Sequence, residues 1–323
     1  MTPDRSRSPS KPSRAAATSR TTSSRENFWV LSPLLPRDLR ADFQTVYGFC
    51  RSADDIADEH EHTPESRAVA LQRLARWRSL LGSPSGDFET ENDDDRGVFT
   101  PLNELIARRE LRRGDFTKLL AAFEQDQTRL TYETWDELLG YCRGSADPVG
   151  RLVLHLAGLA EPSPEIQKMS DAVCTALQVV NHVQDVRRDL FEKGRVYMPS
   201  DLTGLSPDAW RELAESPASD ASRERVAAAL RPVLDRTRVL VETGRGLARA
   251  LPGRAARVRR VVWLFWAAAD ELLRVIERDP GRCLWERVTI SKPRRLAMLG
   301  QAAFLPLPAT TRPAVANVAR ALA

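Results

Sequence analysis

The fold is decided by the stretch NHVQDVRRD, residues 181–189, which closes a long apolar run. Neither Pro nor Gly occurs in residues 171–190, so the pattern predicts one continuous buried helix. Asn181, Asp185 and Asp189 recur every four residues, which places each side chain roughly 6 Å above the last on the same face. An amide and two carboxylates stacked along a buried wall require cations to offset the cost of their burial.

A second stretch, SADDIADE at residues 52–59, repeats this arrangement. Asp54 and Asp58 are again four residues apart, after the apolar lead-in of a core helix. Oxygen ligands without a supporting His or Cys cluster favour a hard divalent ion, Mg²⁺ or Mn²⁺. Because Mg²⁺ commonly shares its ligands with substrate phosphates, the two helix ends predict a site of carboxylates, metal ions and a diphosphate.

A pair of solvated helix faces is the competing interpretation. With 44 acidic residues in 323, about six acidic pairs at this spacing are expected by chance, so spacing alone is weak evidence. The context favours the metal site, because both pairs end apolar helices and both have Arg or Tyr nearby. The short loop at residues 194–199 brings Arg195 and Tyr197 beside the acidic cluster, where an arginine can reach a phosphate.

The composition is that of a globular protein with a large core. A hydrophobic content of 42% over 323 residues allows one sizeable helical domain or two smaller ones, and no boundary separates two. The formal net charge is +4, with 48 basic residues scattered among 44 acids, a balance that does not indicate nucleic acid. Two basic clusters could contact anionic lipid headgroups or a phosphate, with solvated helix faces as the alternative: Arg254, Arg257, Arg259 and Arg260, and Lys292, Arg294 and Arg295.

The chain ends and the cysteines predict a cytoplasmic protein, with peripheral contact at the inner face of the membrane left open. Residues 1–24 are rich in Ser, Arg and Pro, which predicts a disordered tail rather than a secretory signal. The longest apolar run, residues 261–269, is about half the length of a membrane-spanning helix. The widely spaced cysteines predict reduced core residues: Cys50, Cys142, Cys174 and Cys283.

The fold class follows from what the pattern contains and what it lacks. No strand alternation recurs, and neither a GxGxxG motif nor a P-loop occurs, so the prediction is all-α, as a single bundle. The acid-rich residues 82–97 predict a solvated loop. Small residues around Gly150 predict close helix packing or an open channel, and Pro148 predicts a helix break.

The two acidic signatures resemble those of the squalene/phytoene synthase family. The resemblance covers about residues 26–296. It is carried by Tyr47-x-x-x-Arg51-x-x-Asp54-Asp55-x-x-Asp58, by Asn181-x-x-x-Asp185-x-x-x-Asp189 and by Gly194-Arg195-x-Tyr197-x-Pro199. Within the family, the chain most resembles the hydroxysqualene synthase branch of bacterial hopanoid synthesis, through Glu26-Asn27-Phe28, Leu35-Pro36 and Tyr141-Cys142-x-x-Ser145-Ala146-x-Pro148-Val149-Gly150-Arg151.

The resemblance implies an isoprenoid synthase bundle with a central cavity over residues 25–300, followed by a C-terminal extension at residues 301–323. It implies that the metal ions are held by Asp54, Asp58, Asn181, Asp185 and Asp189. It implies diphosphate or substrate contacts from Tyr47, Arg51, Arg188, Arg195 and Tyr197. Tyr141 would lie beside the reacting carbons and would complete the catalytic set with the four aspartates.

The implied reaction is the ionisation and rearrangement of presqualene diphosphate, with capture by one water to give hydroxysqualene. The partners would be that substrate and other enzymes of hopanoid synthesis. A rival reaction joins two farnesyl or geranylgeranyl diphosphates head to head, as squalene, dehydrosqualene and phytoene synthases do. Squalene formation would require NADPH, and the missing Rossmann motif argues against that cofactor, although this fold can bind it in other ways. A non-catalytic helical scaffold is the third possibility, and the loss of metal-binding carboxylates would be its sign.

Overall fold

The computed structural model describes residues 34–58, 61–82 and 93–304. These residues form helices and turns, with one isolated bridge between Thr131 and Val196 and no β-strand. The α-helices are α1 (Arg40–Asp58), α2 (Pro64–Leu80), α3 (Asp93–Arg109), α4 (Arg113–Thr128), α5 (Trp135–Ser145), α6 (Asp147–Leu156), α7 (Pro164–Gln184), α8 (Val186–Glu192), α9 (Ser200–Thr203), α10 (Pro207–Glu215), α11 (Asp220–Gly244), α12 (Leu247–Ala250), α13 (Arg259–Arg278) and α14 (Lys292–Phe304). Short 3₁₀ helices occupy Arg37–Leu39, Gly253–Val258 and Pro280–Leu284. The all-α prediction is confirmed.

The two terminal segments predicted from the sequence flank the helical bundle. The predicted tail at residues 1–24 lies outside the described residues, as does the predicted C-terminal extension beyond residue 304. Helix α14 crosses residue 300 and ends at Phe304, so no element boundary falls at the predicted junction. No helix of the described part is both long enough and apolar enough to cross a membrane.

Helix α7 is the axis of the bundle. It packs against α5, α6, α11, α12 and α13, which enclose it on several sides. Ser163 caps its start by accepting a hydrogen bond from the Ile166 N–H, and Pro164 occupies the first turn, where its missing N–H costs no helical bond. The side chains of Ala176, Val179 and Val180 are completely buried. Burial on so many sides explains why this stretch reads as a continuous apolar run.

The prediction of one helix through residue 190 is wrong in one detail. Helix α7 ends at Gln184 and α8 begins after Asp185, whose φ of −107° and ψ of 12° leave the helical region. The cause is tertiary, because the segment after the last 3₁₀ helix binds both residues at the junction. Arg287 Nε donates to Asp185 Oδ1 at 2.5 Å, and Gln184 Nε2 donates to the Val288 carbonyl. These bonds interrupt a stretch whose propensity is helical.

The predicted acidic loop is shorter than residues 82–97. Residues 83–92 lie outside the described part, but α3 already begins at Asp93. Three consecutive aspartates occupy the first turn, where the helix dipole favours negative charge. The last of them, Asp95, is buried and accepts a hydrogen bond from Trp77 Nε1 at 2.9 Å. That carboxylate is therefore part of the packing between α2 and α3.

The contact between α6 and α7 is very close. The helix break predicted at Pro148 is present, since α5 ends at Ser145 and α6 begins at Asp147 with Pro148 in its first turn. A Cβ at Gly150 would lie 2.6 Å from Ser170 Oγ and 2.7 Å from Cys174 Sγ, so any other residue would force these two side chains to move. Glycine is thus favoured by packing at this point. All four cysteines are free, as predicted.

Candidate active site

A cavity of about 710 Å³ lies in the middle of the bundle. Its walls come from α1, α4, α5, α6, α7, α8 and α13. All the site residues predicted from sequence line this cavity: Tyr47, Arg51, Asp54, Asp58, Tyr141, Asn181, Asp185, Arg188, Asp189, Arg195 and Tyr197. The structure therefore brings them together, while their individual roles stay predictions.

Helix α1 supplies one wall because its two faces differ. Tyr47, Arg51, Asp54 and Asp58 follow one another at helical spacing on the cavity side. On the other side, the Phe49 ring meets the rings of Phe116, Trp77 and Phe99 with centroid distances of 5.3, 5.7 and 6.1 Å. This aromatic cluster fixes the rotation of α1, so the carboxylates are held toward the cavity.

The carboxylates at the polar end fall into two kinds. We call Asp58 and Asp189 the inner carboxylates, because buried cations bind them. Arg195 Nη1 lies 2.7 Å from Asp58 Oδ1, and this arginine side chain is only 1% exposed. Lys193 Nζ contacts Asp58 Oδ2 and lies 3.4 Å from Asp189 Oδ1. Two fixed positive charges therefore stand between the ends of α1 and α8.

The electrostatics of the inner carboxylates follow from that pairing. Burial raises the pKa of Asp58, but Lys193 and Arg195 outweigh it and hold the pKa below its usual value. Burial likewise opposes ionisation of Asp189, whose pKa is nevertheless lowered, by His182 and Lys193. Both carboxylates are therefore charged at neutral pH despite their burial.

We call Asp54 and Asp185 the outer carboxylates, because half-exposed arginines bind them. Arg51 Nη1 lies 3.0 Å from Asp54 Oδ2. Arg287 makes a two-pronged contact with Asp185, through Nε at 2.5 Å and Nη2 at 3.1 Å, and Arg188 Nη1 lies 3.8 Å from the same carboxylate. These arginine side chains are between 32% and 42% exposed. They can therefore exchange a carboxylate for another anion.

A third buried carboxylate, Asp126 of α4, joins two of the predicted tyrosines. Tyr141 donates to Asp126 Oδ2 at 2.9 Å, and Tyr197 donates to Asp126 Oδ1 at 2.8 Å. Burial raises the pKa of Asp126, and burial beside this carboxylate raises the pKa of both phenols. Both hydroxyls are thereby kept protonated and fixed in direction at the cavity wall.

Sequence reasoning missed three charged residues of this site. Asp126 lies on α4 with no motif around it, and its tyrosine partners are 15 and 71 residues away along the chain. Arg287 is 102 residues from Asp185. Lys193 adjoins the Gly194–Pro199 loop and could have been recognised from its position between Asp189 and Arg195. The other two had no signal in a single sequence.

Whether the site can bind Mg²⁺ depends on which of its oxygen atoms are available as metal ligands. In the described ranges no group of three or more His, Cys, Asp or Glu side chains could hold a metal ion. However, the Asn181 amide makes no hydrogen bond within those ranges. Asp189 Oδ1 is buried without a hydrogen bond, and its one cationic neighbour in the described residues, Lys193 Nζ, lies 3.4 Å away. Because Mg²⁺ typically takes one or two carboxylates and completes its shell with water and phosphate, the donor set fits this ion together with a diphosphate.

The family is identified by comparison with known proteins. A family model for squalene/phytoene synthase matches residues 21–294, most of the chain. The chain belongs to the squalene/phytoene synthase family. Members of this isoprenoid synthase family act on prenyl diphosphates, so a cavity with a cationic, oxygen-rich end and an apolar interior is what such substrates require.

Individual relatives agree with this assignment. A hydroxysqualene synthase of Sinorhizobium fredii is 33% identical over 280 residues, which cover 86% of this chain and 88% of that protein. A crystal structure of a squalene synthase from Alicyclobacillus acidocaldarius is 37% identical, with a TM-score of 0.61, and the match covers 80% of this chain and 90% of that one. A dehydrosqualene synthase in complex with ligand, 18% identical with a TM-score of 0.64, shares the fold over 87% of this chain and 92% of its own.

Proposed function

We propose that the protein is a Mg²⁺-dependent hydroxysqualene synthase, which converts presqualene diphosphate and water into hydroxysqualene and diphosphate. The observation that carries the proposal is the division of the cavity into two parts. Its polar end holds the inner and outer carboxylates with their cations, and its remainder is lined by apolar side chains of α1, α6, α7 and α13. The relative from Sinorhizobium fredii supports this branch of the family.

At the polar end, Mg²⁺ would be held by Asp54, Asp58, Asn181, Asp185 and Asp189. When bound, the metal ion supplies positive charge where the leaving diphosphate becomes more negative. Arg51 and Arg188 are half exposed, and their guanidinium groups can bind diphosphate oxygens in place of the outer carboxylates. We assign the enclosed Arg195 to holding Asp58, since its side chain is almost inaccessible.

In the apolar part, the protein excludes water and shapes the isoprenoid chains. Phe43, Phe123 and Phe265 line the cavity together with aliphatic side chains. Aromatic faces stabilise a nearby carbocation, and dry walls prevent its capture at the wrong carbon. Tyr141 borders this part with its hydroxyl fixed on Asp126, and in this proposal its ring would lie against the reacting carbons.

A second candidate is head-to-head condensation of two farnesyl or geranylgeranyl diphosphates. The relative from Alicyclobacillus acidocaldarius favours it, because that structure is described as a squalene synthase. Condensation would use the same polar end for its diphosphates and would differ in the shape of the apolar part. Because both reactions would use the same carboxylates, only the identity of the products distinguishes the two candidates.

The test is an incubation of the purified protein with Mg²⁺ and each of three substrates, followed by mass spectrometry. With presqualene diphosphate we expect hydroxysqualene, and with farnesyl or geranylgeranyl diphosphate no condensation product. Presqualene diphosphate, dehydrosqualene or phytoene from the shorter substrates would transfer the protein to the condensing branch. The absence of any Mg²⁺-dependent product would favour the non-catalytic scaffold.

The proposed place in hopanoid synthesis includes peripheral contact with the membrane. Helix α14 exposes Leu296 and Phe304 on the same short helix as Lys292 and Arg294. Apolar and cationic side chains together suit an anionic bilayer surface, where a water-insoluble product would leave. Co-sedimentation with phosphatidylglycerol vesicles should detect this contact, and Leu296→Glu should weaken it. Equal binding of both proteins would contradict it.

A further inference from the structure

Below the proposed metal site, Gln178 and His182 form a fixed pair at the cavity wall. Gln178 Nε2 lies 3.2 Å from His182 Nε2, and both residues line the cavity. The imidazole stacks on the Tyr197 ring, with centroids 3.7 Å apart and planes inclined by 15°. His182 Nδ1 lies 3.9 Å from Asp189 Oδ2. The ring plane is thereby fixed, and each nitrogen has a different neighbour.

These contacts decide which way the Gln178 amide points. Because Nδ1 faces a carboxylate, the ring proton is placed on Nδ1, and Nε2 is the acceptor. The Gln178 N–H therefore donates to His182, which turns Oε1 away from the imidazole. Oε1 has no hydrogen-bond partner in the described part of the chain. The cavity thus contains one acceptor held in a set direction.

Two of the other polar groups that line the cavity are already engaged, whereas Ser145 Oγ is buried there without a hydrogen bond in the described residues. The Tyr141 hydroxyl donates to Asp126, and Asn181 belongs to the proposed metal site. Ser170 also lines the cavity, but it lies eight residues before Gln178 on α7, which is roughly 12 Å deeper at the rise of an α-helix. Gln178 is one turn below Asn181, close to where the diphosphate leaves and far above the end of the apolar part.

We propose that Gln178 Oε1 holds the water molecule that captures the carbocation, and that His182 orients the amide for this task. The proposal rests on the hydroxysqualene synthase function given above. An acceptor that binds one O–H of the water leaves an oxygen lone pair free to face the cation. Asp or Glu at this place would attract the cation itself, whereas a neutral amide binds the water without competing for it.

The chemistry balances without another reactant. The carbon–oxygen bond to diphosphate breaks with its electron pair leaving on diphosphate, and the carbon skeleton rearranges as a cation. The water oxygen then forms a new bond to the cationic carbon and becomes an oxonium ion. Its extra proton passes to the released diphosphate, so presqualene diphosphate and water give hydroxysqualene and protonated diphosphate.

The test compares products from presqualene diphosphate and Mg²⁺ for the wild type and Gln178→Met. Methionine keeps the length of the side chain but removes the acceptor. We expect the ratio of alcohol to hydrocarbon products to fall by about fivefold or more, as the loss of one hydrogen bond predicts, while diphosphate release changes less. His182→Phe keeps a ring stacked on Tyr197 but frees the amide, and its ratio should fall in the same direction by a smaller factor.

Ser170→Ala is the matched control, because it removes a cavity hydroxyl that lies outside the proposed water site. Its alcohol-to-hydrocarbon ratio should equal that of the wild type. An unchanged ratio in Gln178→Met would overturn the proposal, whether or not diphosphate release also falls. If Gln178→Met fails to fold, an unchanged ratio in His182→Phe overturns it instead. A wild type that makes no alcohol from presqualene diphosphate refutes the proposed function itself, which separates the two failures.

Discussion

The inner and outer carboxylates have the same chemistry and similar helical positions, but their partners differ. Lys193 contacts both Asp58 and Asp189, and Arg195 contacts Asp58; the side chains of this lysine and arginine are 12% and 1% exposed. Asp54 and Asp185 contact arginines that are about one third exposed. The inner ion pairs hold the ends of α1 and α8 together, whereas the outer pairs lie where a substrate can reach them.

The difference shows how one acidic cluster can serve both folding and binding. A buried charge that loses its partner is strongly destabilising, so the cations of the inner carboxylates cannot leave without a large cost. An exposed pair contributes little to stability and is readily exchanged. We therefore expect the outer arginines to move from carboxylate to diphosphate when substrate and Mg²⁺ bind, while Lys193 and Arg195 stay in place.

The largest expected effect on stability comes from breaking an ion pair of the inner carboxylates. Arg195→Leu would leave Asp58 with Lys193 as its one remaining cation, and the free energy of unfolding should fall by about 3 kcal/mol, the lower end for a broken buried ion pair. Urea unfolding followed by circular dichroism measures this change. A loss below about 1 kcal/mol, the range of surface ion pairs, would show that the inner pairs do not differ from the outer ones.

A buried carboxylate without a cation sharpens the comparison. Asp147 of α6 is buried, accepts a hydrogen bond from Thr175 and makes no ion pair in the described part of the chain. Burial raises the pKa of Asp147 from 3.8 to about 7. The native state therefore holds this proton more tightly than the unfolded state, and the free energy of unfolding should fall as the pH rises through this window.

The corresponding variant is Asp147→Asn, which keeps the acceptor for Thr175 and removes the titration. Between pH 5 and pH 7 its stability should increase relative to the wild type by more than about 1.4 kcal/mol, the equivalent of one pKa unit. Urea unfolding at each pH measures the difference in the free energy of unfolding between the variant and the wild type. If this difference in stability does not change with pH, burial does not raise the pKa of Asp147.

The smallest effect on stability is expected on the outer side. Arg287→Leu removes a half-exposed partner of Asp185, and the free energy of unfolding should change by less than about 1 kcal/mol. Because Asp185 loses a competitor for the metal ion, the concentration of Mg²⁺ needed for half-maximal activity should decrease. Activity assays over a Mg²⁺ series measure this value. An increase would indicate that Arg287 positions Asp185 for the metal.

The sequence predicted those parts of the site that depend on local spacing. Asp54 and Asp58 share a face because of helical periodicity, and the same rule placed Asn181 and Asp185 together. The break at Asp185 could not be predicted, because it depends on Arg287 from a distant segment. Asp126 was missed for the same reason, because its role depends on hydrogen bonds from Tyr141 and Tyr197, which are distant in the sequence.

The all-α class was predictable for a different reason. Long apolar helices without strand alternation specify helical packing whatever the detailed order of contacts. The acid-rich segment shows the limit of that reasoning. Asp95 has the composition of a solvated loop around it, but Trp77 binds its carboxylate inside the protein. The amino-acid composition of a segment does not show that one of its polar residues will be buried against a specific partner.

The most direct test of the central claim is calorimetric titration of inorganic diphosphate into the protein, with and without Mg²⁺. The account predicts binding that requires Mg²⁺, and in Asp185→Asn a loss of affinity of about tenfold or more with an unchanged melting temperature. Binding of equal strength without Mg²⁺, or unaffected by Asp185→Asn, would contradict the claim that the carboxylates of this cavity hold metal ions for a diphosphate.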